Sequence, residues 1–217
     1  MVNTPRAAMQ AVQQKLAEAG LDSVQFESRI LLETVLELPC GAPLPQQPLT
    51  GAQQQRLAEL TARRCAHEPL QYLCGTWEFF GLEFQVGEGV LIPRQDTETM
   101  VEDALELLKS GSLRGQEYAG GKAFRGSVEV LDLCCGSGAI GISIAKLDKD
   151  AKVTCADVSA KALAVAKKNA AANGCKGVKF VESDLFAASD FHGRFGKGKY
   201  QLIISNPPYI RHDVIDT

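Results

Sequence analysis

"VEVLDLCCGSGAIGISIAKL", residues 128–147, opens as an apolar run rich in β-branched residues, breaks on two glycines within three positions, and resumes as a helical apolar pattern. A buried strand, a tight turn and a helix is the reading that satisfies all three parts. Downstream, the same alternation continues. "AKVTCAD" (151–157) reads as a strand, "SAKALAVAKKNAAAN" (159–173) as a helix closed by Gly174, "GVKFVESD" (177–184) as a strand and "YQLIIS" (200–205) as another. Strands alternating with helices predict an α/β fold whose parallel sheet is built by crossovers.

Upstream the period differs. Residues 5–19, 24–38 and 52–65 carry apolar residues at helical spacing, the last after a Thr50 cap, which predicts a small α-helical bundle. "TWEFFGLEFQVGEGVLIP" (76–93) alternates aromatic or apolar with polar residues and reads as a β-hairpin; a helix is expected over 97–109. "SGSLRGQEYAGGKAFRGS" (110–127) lacks apolar periodicity and reads as a surface loop.

Apolar residues at 45% and charged residues at 23% exclude a disordered chain. A net charge of -3 argues against a protein whose main task is to neutralise phosphate backbones, so no stable nucleic-acid binding is expected. The seven cysteines are odd in number and form no C-x-x-C pair, which suggests neither a disulfide framework nor a zinc site. His67, His192 and His212 are scattered, so no metal is expected. No stretch approaches the roughly 20 apolar residues of a membrane span. A soluble, cytoplasmic monomer is the expectation.

The chemistry gathers at strand ends. Gly136 and Gly138 let the backbone turn into the next helix and approach a ligand closely, presenting N–H groups of a helix N-terminus. Asp132, just before them, repels a pyrophosphate and attracts an ammonium group; Asp157, 21 positions after Gly136, can hold ribose hydroxyls. Carboxylates at both places suit a cofactor with an amino acid at one end and a nucleoside at the other, the form of S-adenosylmethionine. Asp184 is either an acceptor for the adenine amino group, with Leu185 or Phe186 against the ring, or a polar strand end followed by a core anchor.

"LIISNPPYIR" (202–211) ends a strand on two prolines, which cannot continue a ladder. The ends of the first and fourth strands are expected to be neighbours at the switch point, so Asn206 faces the cofactor crevice. The Asn206 side-chain oxygen and the Pro207 carbonyl then form two acceptors aimed at one NH2 group, with Tyr209 as a flat wall. A conjugated NH2 is a poor nucleophile, and oriented acceptors both localise charge on it and aim it at a methyl donor.

These residues resemble the class I S-adenosylmethionine-dependent methyltransferases. With "EPLQYLCGTWEFFGLEFQVGEGVLIPRQDTE" (68–98), the chain is similar to the peptide chain release factor glutamine N5-methyltransferases from about residue 5 to its end. The resemblance implies a Rossmann-like catalytic domain over 97–217, a hairpin linker over 75–96 and a substrate-gripping helical domain over 1–74. It implies methyl transfer to the side-chain N5 of a release-factor glutamine, that of the GGQ motif, with S-adenosylhomocysteine as product. It also implies cofactor contacts from Cys134, Cys135, Gly136, Ser137, Gly138, Asp157, Asp184, Leu185 and Asn206, closure by Pro93, Arg94 and Thr97, and glutamine binding by Asn206, Pro207, Pro208 and Tyr209, of which Asn206, Pro207 and Tyr209 are catalytic. Gln95 stands where the family has a second proline, Cys134 and Cys135 where Gly-Thr is usual, and Leu185 where a tryptophan is common.

The family fold continues with three strands after the N-P-P-Y strand, whereas this sequence stops eight residues after Tyr209, so a piece of a longer enzyme, its last strands missing, is expected. An adenine N6-methyltransferase of DNA or RNA presents the same NH2 chemistry, but residues 1–75, with six basic and seven acidic side chains, are a poor phosphate-binding module. A methyltransferase acting on a ribosomal-protein glutamine, which shares this core, and a non-catalytic cofactor-binding fragment are the remaining alternatives.

Overall fold

A computed structural model describes residues 4–113, 117–118, 122–123, 126–191 and 200–207, with the side chains of 117–118 and 122–123 left aside. Pro208, Tyr209, His192 and His212 lie outside the described residues. The chain divides into two compact units, Met1–Thr76 and Trp77–Thr217.

The first unit is helical: α1 (Pro5–Glu18), α2 (Val24–Leu36), α3 (Gly51–Cys65) and α4 (Leu70–Cys74). Thr4 caps α1 ahead of a proline in its first turn, and Thr50 and Gln53 form a reciprocal capping box on α3, which satisfies N–H groups the helix leaves unpaired. Leu16, Leu31, Leu32 and Leu60 meet at zero exposure in its core. At the edge of that core Glu27 of α2 takes a two-pronged hydrogen bond from Arg64 of α3, at 2.7 and 2.9 Å. Glu33 accepts from Arg29 and from the Gly41 amide, so a carboxylate on α2 also holds the proline-rich loop that follows it. The short helix α4 was not legible: it spans a single turn between Pro69 and a left-handed Gly75.

In the second unit β1 (Thr76–Phe79) and β2 (Leu82–Gln85) form a hairpin whose two turn residues, Phe80 and Gly81, both have positive φ, at 53° and 69°. This is the geometry that matches strand twist, and phenylalanine adopts it at a cost of about 1–2 kcal/mol. Glu98, the first residue of α5 (Glu98–Ser110), holds the turn by accepting the Phe80 N–H at 2.8 Å. The ladder stops at Gln85, short of the sequence expectation, and a 3-10 turn at Gln95–Thr97 leads into α5. Between α5 and the main sheet, two residue pairs, β3 (Glu117–Tyr118) and β4 (Lys122–Ala123), form an antiparallel ladder where the sequence suggested only loop.

The main sheet comprises β5 (Glu129–Leu133), β6 (Lys152–Asp157), β7 (Lys179–Glu182) and β8 (Leu202–Ser205), in spatial order β7-β6-β5-β8 and parallel throughout. Helices α6 (Ala139–Leu147) and α7 (Ala160–Ala172) make the crossovers. Alternation along the strands sorts their side chains. Val130, Val153, Cys155 and Ile204 join the cluster that includes α5, α6, α7 and the hairpin phenylalanines, while Leu131, Leu133 and Ala156 face the other way against Phe191 and Tyr200. Both faces are buried, which explains the unbroken apolar run on which the sequence reading began. Among the described residues no helix is long and apolar enough to cross a membrane.

Helix α6 packs against the sheet at Gly141, where there is no room for a side chain. A Cβ there would meet Cys155 Sγ at 2.7 Å and the Asp132 side chain at 3.0 Å. Gly141→Ala is therefore expected to destabilise the fold by about 1–3 kcal/mol, read as a lowered midpoint in urea unfolding.

Candidate active site at the carboxyl edge of the sheet

Leucine 133 pairs with Ser205, so the ends of β5 and β8 are adjacent, and the Ser205 hydroxyl donates to the Leu133 carbonyl at 2.8 Å. Beyond β5 the backbone enters left-handed conformations at Cys134 (φ 60°), Gly136 (54°) and Gly138 (78°). Cysteine is a strained choice for the first of these. The turn closes with Gly138 N–H donating to the Cys135 carbonyl at 2.8 Å, and it is tied to β6 by Cys135 N–H donating to Ala156 at 3.0 Å.

Asp157 organises the neighbouring strand end. One oxygen accepts the Gly136 amide at 2.8 Å and the other the Ser159 amide at 2.9 Å. The Asp157 carbonyl accepts from Ser183 N–H at 3.0 Å, which brings in the end of β7; the Ser183 hydroxyl then donates to the Leu185 carbonyl at 2.8 Å and accepts from Ala188 N–H at 2.9 Å. Leu185, at φ 47°, is held outward and half exposed.

These ends surround a cavity of about 970 Å3. Of the residues singled out in the sequence, Pro93, Arg94, Thr97, Cys134, Cys135, Gly136, Ser137, Asp157, Asp184, Leu185, Asn206 and Pro207 line it. Pro208 and Tyr209 lie outside the described residues. Gly138 sits behind the wall as the N-cap of α6, where a Cβ would meet Ile142 Cδ1 at 2.7 Å and Ala166 Cβ at 3.1 Å. Asn206 approaches Thr97, its amide nitrogen 3.5 Å from the hydroxyl oxygen.

Asp96, inside the 93–97 segment read as closing over the cofactor, lines the cavity too, and sequence reasoning missed Leu91, Val158 and Ser183, which also line it. Val158 is two-thirds exposed and Leu91 and Leu185 about half, an apolar rim suited to a flat ring. An apolar residue directly after a strand-end carboxylate, in the otherwise polar "DVS", was the available signal.

Two family models match the chain: the PrmC N-terminal domain over residues 7–75 and the Methyltransferase small domain over residues 122–217. A release factor glutamine methyltransferase of Burkholderia pseudomallei is 38% identical over 220 residues, covering 98% of this chain and 70% of its own length. The chain belongs to the release factor glutamine methyltransferase family. A member of the same family from Agrobacterium fabrum is 33% identical over 99% of this chain and 69% of its own. One from Fusobacterium nucleatum is 40% identical over 73% of this chain and 39% of its own, so the chain spans between about two fifths and seven tenths of the length of the curated relatives it matches.

Within this release factor glutamine methyltransferase family chain, Asp132 occupies a different place from the one its sequence position suggested. It is 1% exposed, lies beneath the loop and is not among the lining residues; Oδ2 accepts the Gly141 N–H at 2.8 Å and Oδ1 finds no hydrogen-bond partner among the described residues. Burial pushes its carboxyl up to about 7; the Gly141 amide opposes this and the Asp157 charge adds to it. Because the folded state favours the protonated form, the resulting stability is complete below the ordinary carboxylate range. It is lost as pH rises to about 7, by on the order of 4 kcal/mol. Asp132→Asn keeps an acceptor for Gly141 and cannot ionise. The stability of this variant relative to the parent is expected to rise between about pH 4 and about pH 7 and to level off above, in urea titrations; a pH-independent difference would show that Asp132 does not titrate in this window.

Proposed function

We propose that the cavity binds S-adenosylmethionine and a glutamine side chain, and that the protein methylates the N5 amide nitrogen of the GGQ glutamine of peptide chain release factors. The observation that carries this reading is convergence: a left-handed glycine loop, the strand-end carboxylate Asp157 and the Asn206–Pro207 strand end share one cavity. Bound S-adenosylmethionine supplies an electrophilic methyl group on a sulfonium and leaves as S-adenosylhomocysteine. Asp157 is the acceptor for ribose hydroxyls, since its two oxygens keep lone pairs beyond those used on Gly136 and Ser159. Val158 and Leu185 lie against the adenine faces, and Asp184 accepts from its amino group. Pro93, Arg94 and Thr97 close over the methionine end.

The Asn206 amide nitrogen lies 3.5 Å from the Thr97 hydroxyl oxygen, and in this reading its oxygen is the group that meets the substrate. That oxygen and the Pro207 carbonyl orient the two hydrogens of a glutamine NH2 and aim its nitrogen at the methyl carbon, with Tyr209 alongside the planar amide. On accepting the methyl group the amide nitrogen would give up one proton to solvent, and the two acceptors would stabilise the charge building on it. In the same reading the helical residues 1–74 grip the release factor, residues 75–96 link, and 97–217 carry the chemistry. The balance of six basic and seven acidic side chains over residues 1–75 favours a protein over a nucleic-acid substrate.

The test is methyl transfer from labelled S-adenosylmethionine to a release factor and, separately, to adenine-containing DNA. Label is expected in the release factor on its glutamine, and Asn206→Ala is expected to lower the rate about 100-fold or more while leaving cofactor affinity within about threefold. Label in DNA alone would overturn the assignment.

A further inference from the structure

Asn169, in the last turn of α7, has zero exposure and does not line the cavity. An asparagine amide offers one acceptor oxygen and two N–H donors, and burying it unpaired is unfavourable. Here each is used. Oδ1 accepts the Gln85 N–H at 2.7 Å; Nδ2 donates to the Gln85 carbonyl at 3.1 Å and to the Ser137 carbonyl at 2.9 Å. One side chain thus pairs with both backbone groups of the last β2 residue, as a neighbouring strand would, and also holds the loop that lines the cavity.

The contact with Ser137 fixes a peptide plane. The 137–138 unit has its N–H committed to the Cys135 carbonyl, at 2.8 Å, and its carbonyl committed to Asn169. Both poles of one peptide group are held, so the wall it forms cannot rotate without breaking a buried hydrogen bond. One turn further along α7, Asn173 donates to the Glu83 carbonyl at 2.9 Å, a contact with the hairpin alone. Two side chains on one helix therefore separate two roles.

We propose that Asn169 is a positioning residue that couples the seating of the hairpin to the shape of the cofactor loop, so that loosening one weakens ligand binding at the other. The ligand half of this inference rests on the S-adenosylmethionine reading above; the coupling half does not. Three variants decide it: Asn169→Leu, which removes every polar contact at similar volume; Asn173→Ala, which removes the hairpin contact and a bond to the Asn169 carbonyl but none to the loop; and Leu163→Ala, a buried core truncation on the same helix. Binding of S-adenosylmethionine is read by calorimetry, and amide exchange at Gln85 and Gly138 by nuclear magnetic resonance.

Asn169→Leu is expected to weaken cofactor binding about tenfold and to accelerate exchange at both amides, the size of one lost buried hydrogen bond. Asn173→Ala and Leu163→Ala, compared at temperatures equally far below their own melting points, are expected to hold affinity within about twofold and Gly138 exchange near the parent rate. Where the leucine variant does not fold, Asn169→Ser, which leaves room for water, carries the same comparison. Unchanged affinity and unchanged Gly138 exchange in the Asn169 variant would overturn the proposal, as would an equal loss of affinity in Leu163→Ala. A parent protein that fails to bind S-adenosylmethionine would instead sink the cofactor reading, and Gly138 exchange would still decide the coupling.

Discussion

The close approach of α6 to the sheet at Gly141 is the constraint on which the carboxyl edge depends. With no Cβ in the way, the Gly141 amide reaches Asp132 Oδ2 and the first turn of α6 lies directly over β5 and β6. The five residues between β5 and α6 must then make their reversal in a short span, which forces three of them into left-handed backbone. The loop's tightness is thus a consequence of helix–sheet packing below it, and the cavity above inherits its floor from a contact that no ligand touches. A carboxyl group is buried to make that contact, and that burial raises its proton affinity.

Much of this was legible in the order of the residues. Alternation of apolar strands with helical segments gave the parallel sheet, and the glycines, Asp157 and Asn206–Pro207 fell on strand ends because local pattern places such residues there. What stayed hidden depends on long-range partners. Asn169 reads as one polar residue in an alanine-rich helix, and its meaning lies 84 positions away at Gln85. Asp132 reads as a ligand because of where it stands in the chain, whereas the alternation of β5 turns it toward α6. The one-turn helix α4 and the Phe80–Gly81 turn carry too few residues for periodicity to register.

The first unit obeys a different economy. Its apolar cluster is small, and charged side chains complete it: the Glu27–Arg64 pair joins two helices, and Glu33 fastens a proline-rich loop whose backbone has few regular partners. Such pairs add directional specificity more than net stability, since both charges lose water on folding.

The segment between β2 and α5 is pinned at both ends. Gln85 is held by Asn169, Thr97 lies against Asn206, and Val86 and Val90 are buried between them. Between Val90 and Thr97 the chain runs along the cavity, with Leu91, Pro93, Arg94 and Asp96 lining it, so one side of the mouth is built by a segment whose path is set by contacts at its two ends.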